Sequence, residues 1–242
     1  MKGDEKKSPD SVPGAVKRRV WLERSFGRDG IYRKRSGGEA SRPSARADAP
    51  ASARAALEAL AAEVAACTRC GLYEDATQGV LGAGNPQADL IFVGEAPGAE
   101  EDRVGEPFVG RAGKLLDKIL KAMGLERSDV YITNVIKHRP PGNRTPTKYE
   151  IGRCHHFLLA QLEIIKPKVI CALGAPAAQT LLNTDRSIGL LRGRFHPYPD
   201  DPRIPVMPTY HPAYLLRNAR DKGKVWEDMK KIMEKLGKPV PK

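Results

Sequence analysis

The sequence has few cysteines, few aromatic residues and no long apolar run. Its 242 residues include only four cysteines, and aromatic side chains make up 6% of the chain. No apolar run approaches the roughly 18 residues that a membrane-spanning helix needs, and the N-terminus lacks the apolar stretch of a secretory signal. Asp4, Glu5 and Asp10 argue against an organellar transit peptide. We therefore expect a cytoplasmic protein with no membrane partner.

Positive charge, in contrast, is abundant. Lys and Arg number 41 against 29 Asp and Glu, which gives a formal net charge of +12. Residues 1–54 contain 14 Lys and Arg and seven Asp and Glu, so +7 of this charge lies there and +5 on the remainder. This balance suits a polyanionic partner such as a nucleic acid. A solvated basic tail on an ordinary enzyme would explain it equally well.

Composition divides the chain into three parts. Residues 1–52 are rich in Lys, Arg, Ser, Gly and Pro without apolar periodicity, and this predicts a basic, mostly disordered extension. Residues 53–237 have the apolar content of one domain, and residues 238–242 form a short tail.

Within the domain, strand-like runs alternate with helical segments. Strands are predicted over 89–93, 130–136, 168–173 and 204–210. Helices are predicted over 52–66, 112–123, 146–165, 176–182 and 218–236. Such alternation is typical of a parallel sheet covered on both faces. We predict an α/β protein, a three-layer α/β/α sandwich with a central four-stranded parallel sheet.

Two segments that follow predicted strands carry most of the functional information. Glu95 lies in residues 94–98 (GEAPG), after the first strand, and His211 follows the last strand. Ligands bind at the carboxyl ends of the strands in open α/β sheets. A carboxylate in a Gly/Pro-stiffened turn that faces a histidine suggests hydrolytic chemistry on a nucleic acid. The alternative for Glu95 is a carboxylate that caps the next backbone turn.

Two further residues suggest that a nucleobase is bound. Asn134 interrupts an apolar strand, and its side-chain donor and acceptor match the O4 and N3–H groups of uracil or thymine, whereas cytosine presents the reverse pattern. Phe108 lies in a Gly-rich segment where an aromatic ring could stack on a base. The alternatives are an Asn that bonds neighbouring backbone and a Phe that belongs to a small core cluster.

The segment after His211 has an apolar and basic tip. Leu215 and Leu216 at a loop tip would be unfavourable unless they insert into an apolar gap such as a base stack. Arg217 could hold a phosphate. A packed helix N-terminus is the alternative.

The cysteines suggest a metal site. Cys67 and Cys70 have the C-x-x-C spacing that lets two sulfur atoms reach one metal. His138, in a loop, and Cys154, on a predicted helix, complete four candidate ligands that would fasten the N-terminal segment onto the domain. Cys171 lies in an apolar strand and reads as a small buried hydrophobe. A reduced, unliganded pair is the alternative.

Together these segments resemble the uracil-DNA glycosylase superfamily, specifically its iron–sulfur family 4. The resemblance covers about residues 60–236. It rests on five motifs in order: 94–98 (GEAPG), 105–113 (GEPFVGRAG), 133–135 (TNV), 139–146 (RPPGNRTP) and 211–217 (HPAYLLR). It implies a monofunctional glycosylase that flips uracil out of single- or double-stranded DNA, hydrolyses its N-glycosidic bond and leaves an abasic site. We expect a monomer associated with the nucleoid.

The resemblance also implies roles for individual residues. Glu95 would position or activate water and stabilise the sugar cation, while His211 would stabilise negative charge on uracil O2. Phe108 would stack under the base and Asn134 would read its edge. Leu215 would fill the vacated stack. Gly94, Ala96 and Gly98, which lie near Glu95, would contact the base through their backbone. Glu101 would help to exclude the thymine methyl group.

The sequence departs from family 4 at one ligand of the implied 4Fe–4S cluster. His138 stands where the family has its third cysteine, and three thiolates with one imidazole would equally suit zinc. Histidine here resembles relatives that cross-link to uracil-DNA, but those carry a Gln where this chain has Ala96, and an inserted basic loop that is missing after Arg144. We therefore expect turnover. The competing hypothesis is a non-catalytic nucleic-acid-binding protein with a Cys3His metal clamp.

Overall fold

A six-stranded sheet forms the centre of the computed structural model, which describes residues 49–240. The strand order is β1-β3-β2-β4-β6-β5. The strands are β1 (Ala83–Gly84), β2 (Leu90–Gly94), β3 (Tyr131–Asn134), β4 (Val169–Leu173), β5 (His196–Pro197) and β6 (Pro205–Thr209).

The four central strands confirm the predicted parallel sheet. β3, β2, β4 and β6 pair side by side in parallel, and each lies within its predicted range to within one residue. The two edge strands, β1 and β5, pair antiparallel with β3 and β6 and were not predicted. Each is two residues long, which is too short to give a periodic signal.

The described residues form nine α-helices. They are α1 (Ala49–Ala65), α2 (Leu72–Asp75), α3 (Ala99–Val104), α4 (Arg111–Ala122), α5 (Lys148–Ile165), α6 (Ala175–Leu182), α7 (Ile188–Leu191), α8 (Pro212–Arg217) and α9 (Lys222–Lys235). Short 3-10 turns occur at Arg127–Asp129, Pro141–Asn143 and Ala219–Asp221.

Local capping explains where two helices differ from their predicted bounds. α5 begins at Lys148 rather than at 146, because the Thr147 side chain accepts the Glu150 N–H at 3.2 Å and acts as the N-cap. The single helix predicted over 218–236 is wrong at its start, since Asn218 leaves the helical conformation (φ −128°, ψ 68°) and ends α8. The new helix α9 begins only at Lys222.

Helices cover both faces of the sheet, which confirms the three-layer architecture. Alternate side chains of β2 point to opposite faces: Ile91 and Val93 belong to one core cluster, Leu90 and Phe92 to the other. α1, α5 and α6 contribute to the first cluster, and α4, α8 and α9 to the second.

The parallel register brings the functional segments to one edge of the sheet. Gly94, the last residue of β2, is directly opposite Asn134, the last residue of β3. On the other side β4 ends beside β6, with Leu173 opposite Thr209. The chain leaves this same edge toward Glu95 and toward His211.

The predicted terminal segments fall largely outside this structure. The basic extension over 1–52 lies outside the described residues except for the start of α1, which begins at Ala49, four residues before the predicted domain. The division at residues 52 and 237 stays a prediction. None of the helices in residues 49–240 is long and apolar enough to cross a lipid bilayer.

Candidate active site

Gly94 brings three chain segments into close contact. A Cβ atom built on Gly94 would lie 2.3 Å from Asn134 Oδ1, 2.6 Å from Phe108 Cζ and 2.8 Å from Phe108 Cε2. At distances below 3.0 Å, a side chain at this position would force the Asn134 amide or the Phe108 ring to move. The amide of Asn134 and the ring of Phe108 therefore meet at the end of β2, where we place the candidate pocket.

Asn134 has a buried acceptor without a partner. The residue is 2% exposed, and its Oδ1 atom accepts no hydrogen bond. A buried, unpaired polar atom costs on the order of 1–3 kcal/mol, so native proteins rarely keep one without a use. The alternative in which Asn134 satisfies neighbouring backbone through this oxygen is therefore excluded, and the oxygen is available to an N–H donor from a ligand.

His211 is held as a neutral imidazole. It is the N-cap of α8, and its Nδ1 atom accepts the Ala213 N–H at 3.0 Å, so the ring proton is on Nε2. Burial lowers the His211 pKa to about 4; the charge of Glu101 raises it and that of Arg217 lowers it further. The ring is therefore neutral at pH 7 and presents an Nε2–H donor.

Phe108 connects His211 with Gly94. The ring centroids of Phe108 and His211 are 5.5 Å apart, and Phe108 is 5% exposed. Behind His211, a Cβ atom on Gly174 would lie 3.1 Å from His211 Cβ, so the end of β4 also supports the imidazole. Phe108 belongs to a core cluster, as one of its two interpretations expected, and stacking of its ring on a base stays a prediction.

Glu95 is partly desolvated beside the pocket. Burial raises the Glu95 pKa, and a hydrogen bond to the Thr145 side chain opposes this shift. The Glu95 carbonyl accepts the Ile136 N–H at 3.0 Å, which ties the turn to the chain after β3. Thr145 was part of a sequence motif, but its contact with Glu95 could not be inferred from spacing.

The three predicted backbone contacts near Glu95 are not equivalent. Gly94 lines the pocket, while Ala96 packs against the core. The Gly98 N–H donates to Glu101 Oε2 at 3.1 Å and caps α3. The Gly98 donor is thus used within the loop, and a contact of the Gly98 backbone with the base stays a prediction.

The exposed leucine after His211 is not the predicted one. Leu215 is 1% exposed and packs in a core cluster, whereas Leu216 is 41% exposed. The reason is helical geometry: α8 starts at Pro212, so adjacent residues point in different directions and only one leucine can face the core. Arg217, the last residue of α8, is exposed.

The predicted metal ligands lie on three elements: Cys67 and Cys70 follow α1, His138 lies after β3 and Cys154 lies in α5. Burial raises the pKa of Cys154 to about 11, and the charges of Cys70 and Cys67 add to this shift. Arg153 Nε donates to the Arg69 carbonyl at 3.2 Å and joins α5 to the C-x-x-C turn. Cys171 is fully buried in β4, as predicted.

By their chemistry, three thiols and one imidazole suit an iron–sulfur cluster or a zinc ion. In residues 49–240 no three His, Cys, Asp or Glu side chains are close enough to hold one metal ion. The Lys137 N–H donates to Cys154 Sγ at 3.3 Å, the kind of contact that supports a thiolate, and the next residue is His138, which is buried.

The sequence analysis missed one buried cation. Lys137 is completely buried, and its Nζ donates to the Asn134 carbonyl at 2.6 Å, to Gln161 Oε1 at 2.5 Å and to Thr133 Oγ1 at 2.8 Å. Burial lowers the Lys137 pKa to about 7. These bonds fix the backbone of Asn134 from behind. The available signal was a lysine directly after the apolar residues 135–136, but its partner Gln161 lies 24 residues further along the chain.

The described residues thus form a three-layer α/β protein in which the turn after β2, an Asn at the end of β3 and a histidine after β6 follow parallel strands. The family model "Uracil DNA glycosylase superfamily" matches residues 81–230. The chain therefore belongs to the uracil-DNA glycosylase superfamily.

Curated relatives narrow the placement to the type-4 members, which confirms the resemblance to family 4. The chain is 47% identical to the type-4 uracil-DNA glycosylase of Thermotoga maritima over 177 residues, 72% of this chain and 92% of the relative. It is 43% identical to that of Archaeoglobus fulgidus over 190 residues, 76% and 96% of the two chains. It is 44% identical to the type-4 uracil-DNA glycosylase of Sulfurisphaera tokodaii over 184 residues, which are 74% of this chain and 84% of the relative.

The tautomer and charge of His211 can be measured directly. We expect the 15N and 1H signals of the imidazole to show an Nε2–H, Nδ1-unprotonated ring at about pH 6, where a free histidine, with a pKa of about 6.5, is mostly protonated. Long-range 15N–1H NMR spectra of the labelled protein report both nitrogens, and His211→Gln assigns the signals. An imidazolium at pH 6, or a proton on Nδ1, would contradict the geometry.

Proposed function

We propose that the protein is a monofunctional uracil-DNA glycosylase that removes uracil from DNA by hydrolysis and leaves an abasic site. The observation that carries the proposal is the unpartnered Oδ1 of Asn134, buried beside Phe108 and the Gly94 backbone. Family membership and the names of the type-4 relatives support the same reaction.

The pocket suits an extrahelical pyrimidine. A base inside a duplex cannot be reached, so it must be flipped out at a cost of a few kcal/mol, which a single-stranded substrate avoids in part. Phe108 offers a stacking surface and Asn134 Oδ1 an acceptor for uracil N3–H. Cytosine has an unprotonated N3 at this position, so its lone pair would face the Asn134 oxygen. The pocket thus discriminates by hydrogen bonding.

His211 meets the negative charge that develops on the leaving base. Cleavage of the N-glycosidic bond leaves a uracil anion, and the neutral Nε2–H donor of His211 is in the orientation set by Ala213 before substrate arrives. A donor fixed in advance stabilises the anion more than the uncharged base; its loss typically costs about 10²–10³ in rate.

Glu95 acts on the cationic side of the reaction. The sugar becomes oxocarbenium-like as the bond breaks, and an ionised Glu95 stabilises it and orients the attacking water. The Thr145 hydrogen bond favours the ionised form and opposes the effect of burial. In this proposal Glu101 excludes the thymine methyl group. The enzyme releases its product without cross-linking to DNA, because no inserted basic loop occurs after Arg144.

Leu216, rather than Leu215, makes the apolar contact with the DNA stack. It is the exposed leucine of α8 and is followed by Arg217, which suits a phosphate. Leu215 is 1% exposed, so its side chain would have to leave the core before it could insert into the DNA. The basic charge of the chain supports binding of single- or double-stranded DNA. In this proposal the protein acts as a monomer in the cytoplasm, at the nucleoid.

Cys67, Cys70, His138 and Cys154 would hold a 4Fe–4S cluster. When bound, the cluster supplies a cross-link between the end of α1, the loop after β3 and helix α5. The reaction itself needs only the residues of the pocket. We place the catalytic domain at residues 53–237, with the basic extension over 1–52 outside it.

Asn134→Asp should alter which base is released. A protonated aspartic acid can donate to cytosine N3 and accept from its exocyclic amine, so we expect slow cytosine release from oligonucleotides in which the wild-type protein releases only uracil. Single-turnover assays on single- and double-stranded DNA measure both activities. A folded variant that releases no cytosine would count against base reading by Asn134.

The same assay separates the enzyme from a non-catalytic DNA-binding protein. The proposal requires that wild-type protein releases uracil and that His211→Ala slows release about 10²–10³-fold while DNA binding persists. If the wild-type protein binds DNA but releases no base, the binding-protein hypothesis replaces the proposal.

The two adjacent leucines provide a matched pair of variants. Leu216→Ala should weaken uracil release from duplex DNA more than from single-stranded DNA and leave the free energy of unfolding nearly unchanged. Leu215→Ala should instead lower that free energy by about 2–5 kcal/mol, because it opens a cavity in the core. Denaturant unfolding and the duplex-to-single-strand rate ratio distinguish them; an unchanged ratio in Leu216→Ala would remove Leu216 from the DNA contact.

Two buried cysteines provide the corresponding pair for the cluster. We expect about four iron atoms per chain and a broad visible absorption band, both lost in Cys154→Ala and retained in Cys171→Ala. Loss of the cross-link should lower Tm by roughly 5–15 °C, because a covalent cross-link typically adds a few kcal/mol to the free energy of unfolding. Full iron content in Cys154→Ala would contradict the ligand assignment, and zinc in the wild-type protein would contradict the cluster.

A further inference from the structure

The loop that carries Phe108 has a strained backbone. Phe108 has φ of 55°, in the left-handed region that a bulky residue rarely adopts. This conformation directs the ring to Gly94, with Cζ 2.6 Å from a Cβ built there, and to His211, 5.5 Å away between centroids. An unfavourable conformation persists only when its surroundings hold it.

A cation holds the carbonyl groups of this loop. Arg127, at the 3-10 turn before β3, donates through Nη1 to the Pro107 carbonyl at 3.0 Å and through Nη2 to the Phe108 carbonyl. Its Nε donates to Asp117 Oδ1 at 2.6 Å, which fixes the plane of the guanidinium. Gly113 leaves space for the same carbonyl: a Cβ there would lie 1.6 Å from the Phe108 oxygen.

A carboxylate holds the N–H groups that follow. Glu101 Oε1 accepts the Val109 N–H at 3.0 Å and the Gly110 N–H at 2.9 Å, while Oε2 accepts the Gly98 N–H. The same carboxylate therefore joins the loop after β2 to the loop of Phe108. Successive N–H groups that converge on one anion are a stable arrangement.

We propose that Arg127 and Glu101 form a two-sided clamp that holds Phe108 in its base-stacking conformation, with Arg127 a positioning residue that acts through Phe108. The inference rests on the proposed function, in which Phe108 stacks on the flipped base. Arg127 lies outside all five sequence motifs, and its guanidinium reaches the loop of Phe108 through the Pro107 and Phe108 carbonyls.

The chemistry of the clamp requires an arginine at this position. A planar guanidinium can donate to two neighbouring carbonyls and to a carboxylate at once, whereas a lysine ammonium is a point charge without this geometry. Without these bonds the Phe108 backbone is free to relax to negative φ, and the ring leaves the face of the pocket.

A double-mutant cycle tests the clamp in full-length protein. Arg127→Ala should slow single-turnover uracil release roughly tenfold, in the range of one lost base-stacking contact. Phe108→Ala should slow it at least as much, and the double variant should be no slower than Phe108→Ala. Arg127→Lys should behave like Arg127→Ala. Arg103→Ala, which removes an exposed arginine paired only with Glu100, is the control and should retain wild-type activity.

A spectroscopic signal keeps the test independent of activity and of overall stability. With 4-fluorophenylalanine incorporated, the 19F resonance of Phe108, assigned by Phe108→Leu, should shift in Arg127→Lys, while the resonances of the core residues Phe92 and Phe157 stay in place. If Arg127→Ala does not fold, Arg127→Lys supplies both the rate and the spectrum.

Additive rate losses in the double variant, or an unchanged Phe108 resonance in Arg127→Lys, would overturn the clamp. Such a result leaves uracil release by the wild-type protein intact. Failure of the proposed function, in contrast, would appear as no uracil release by the wild-type protein.

Discussion

The close approach of three chain segments at Gly94 is the constraint on which the site depends. The parallel pairing of β2 with β3 puts Gly94 opposite Asn134, and the missing side chain lets the Asn134 amide and the Phe108 ring come within contact distance of the same backbone. Any side chain at this position would meet the Asn134 oxygen at 2.3 Å. The proposed base site depends on this close approach, which is possible because a glycine ends the strand.

Around this pocket the protein fixes polar groups before a ligand arrives. The Lys137 ammonium group donates to the Asn134 carbonyl, and the Ala213 N–H sets the His211 tautomer. The Thr145 side chain forms a hydrogen bond with Glu95. These contacts cost stability where they bury polar atoms, as the unpartnered Asn134 oxygen does. Groups that are already oriented need no rearrangement as charge develops, which is why such a site favours the transition state over the bound base.

The sequence predicted the sheet and the strand-end residues, because both follow from local patterns. The apolar runs specified four parallel strands, and parallel strands bring their carboxyl ends to one edge. What could not be predicted depends on contacts between distant segments or on the direction of a side chain. The start of α8 at Pro212 decides that Leu215 faces the core and Leu216 faces outward, and only tertiary structure shows that Arg127 reaches Phe108.

Titration of the protein with free uracil, followed at the Asn134 side chain by NMR, tests the central claim most directly. If Asn134 reads the base edge next to Phe108, uracil should shift the Asn134 side-chain amide signals and the Phe108 ring signals at a single dissociation constant, and cytosine should shift neither. Binding of uracil without a change at Asn134, or equal responses to the two bases, would contradict the account.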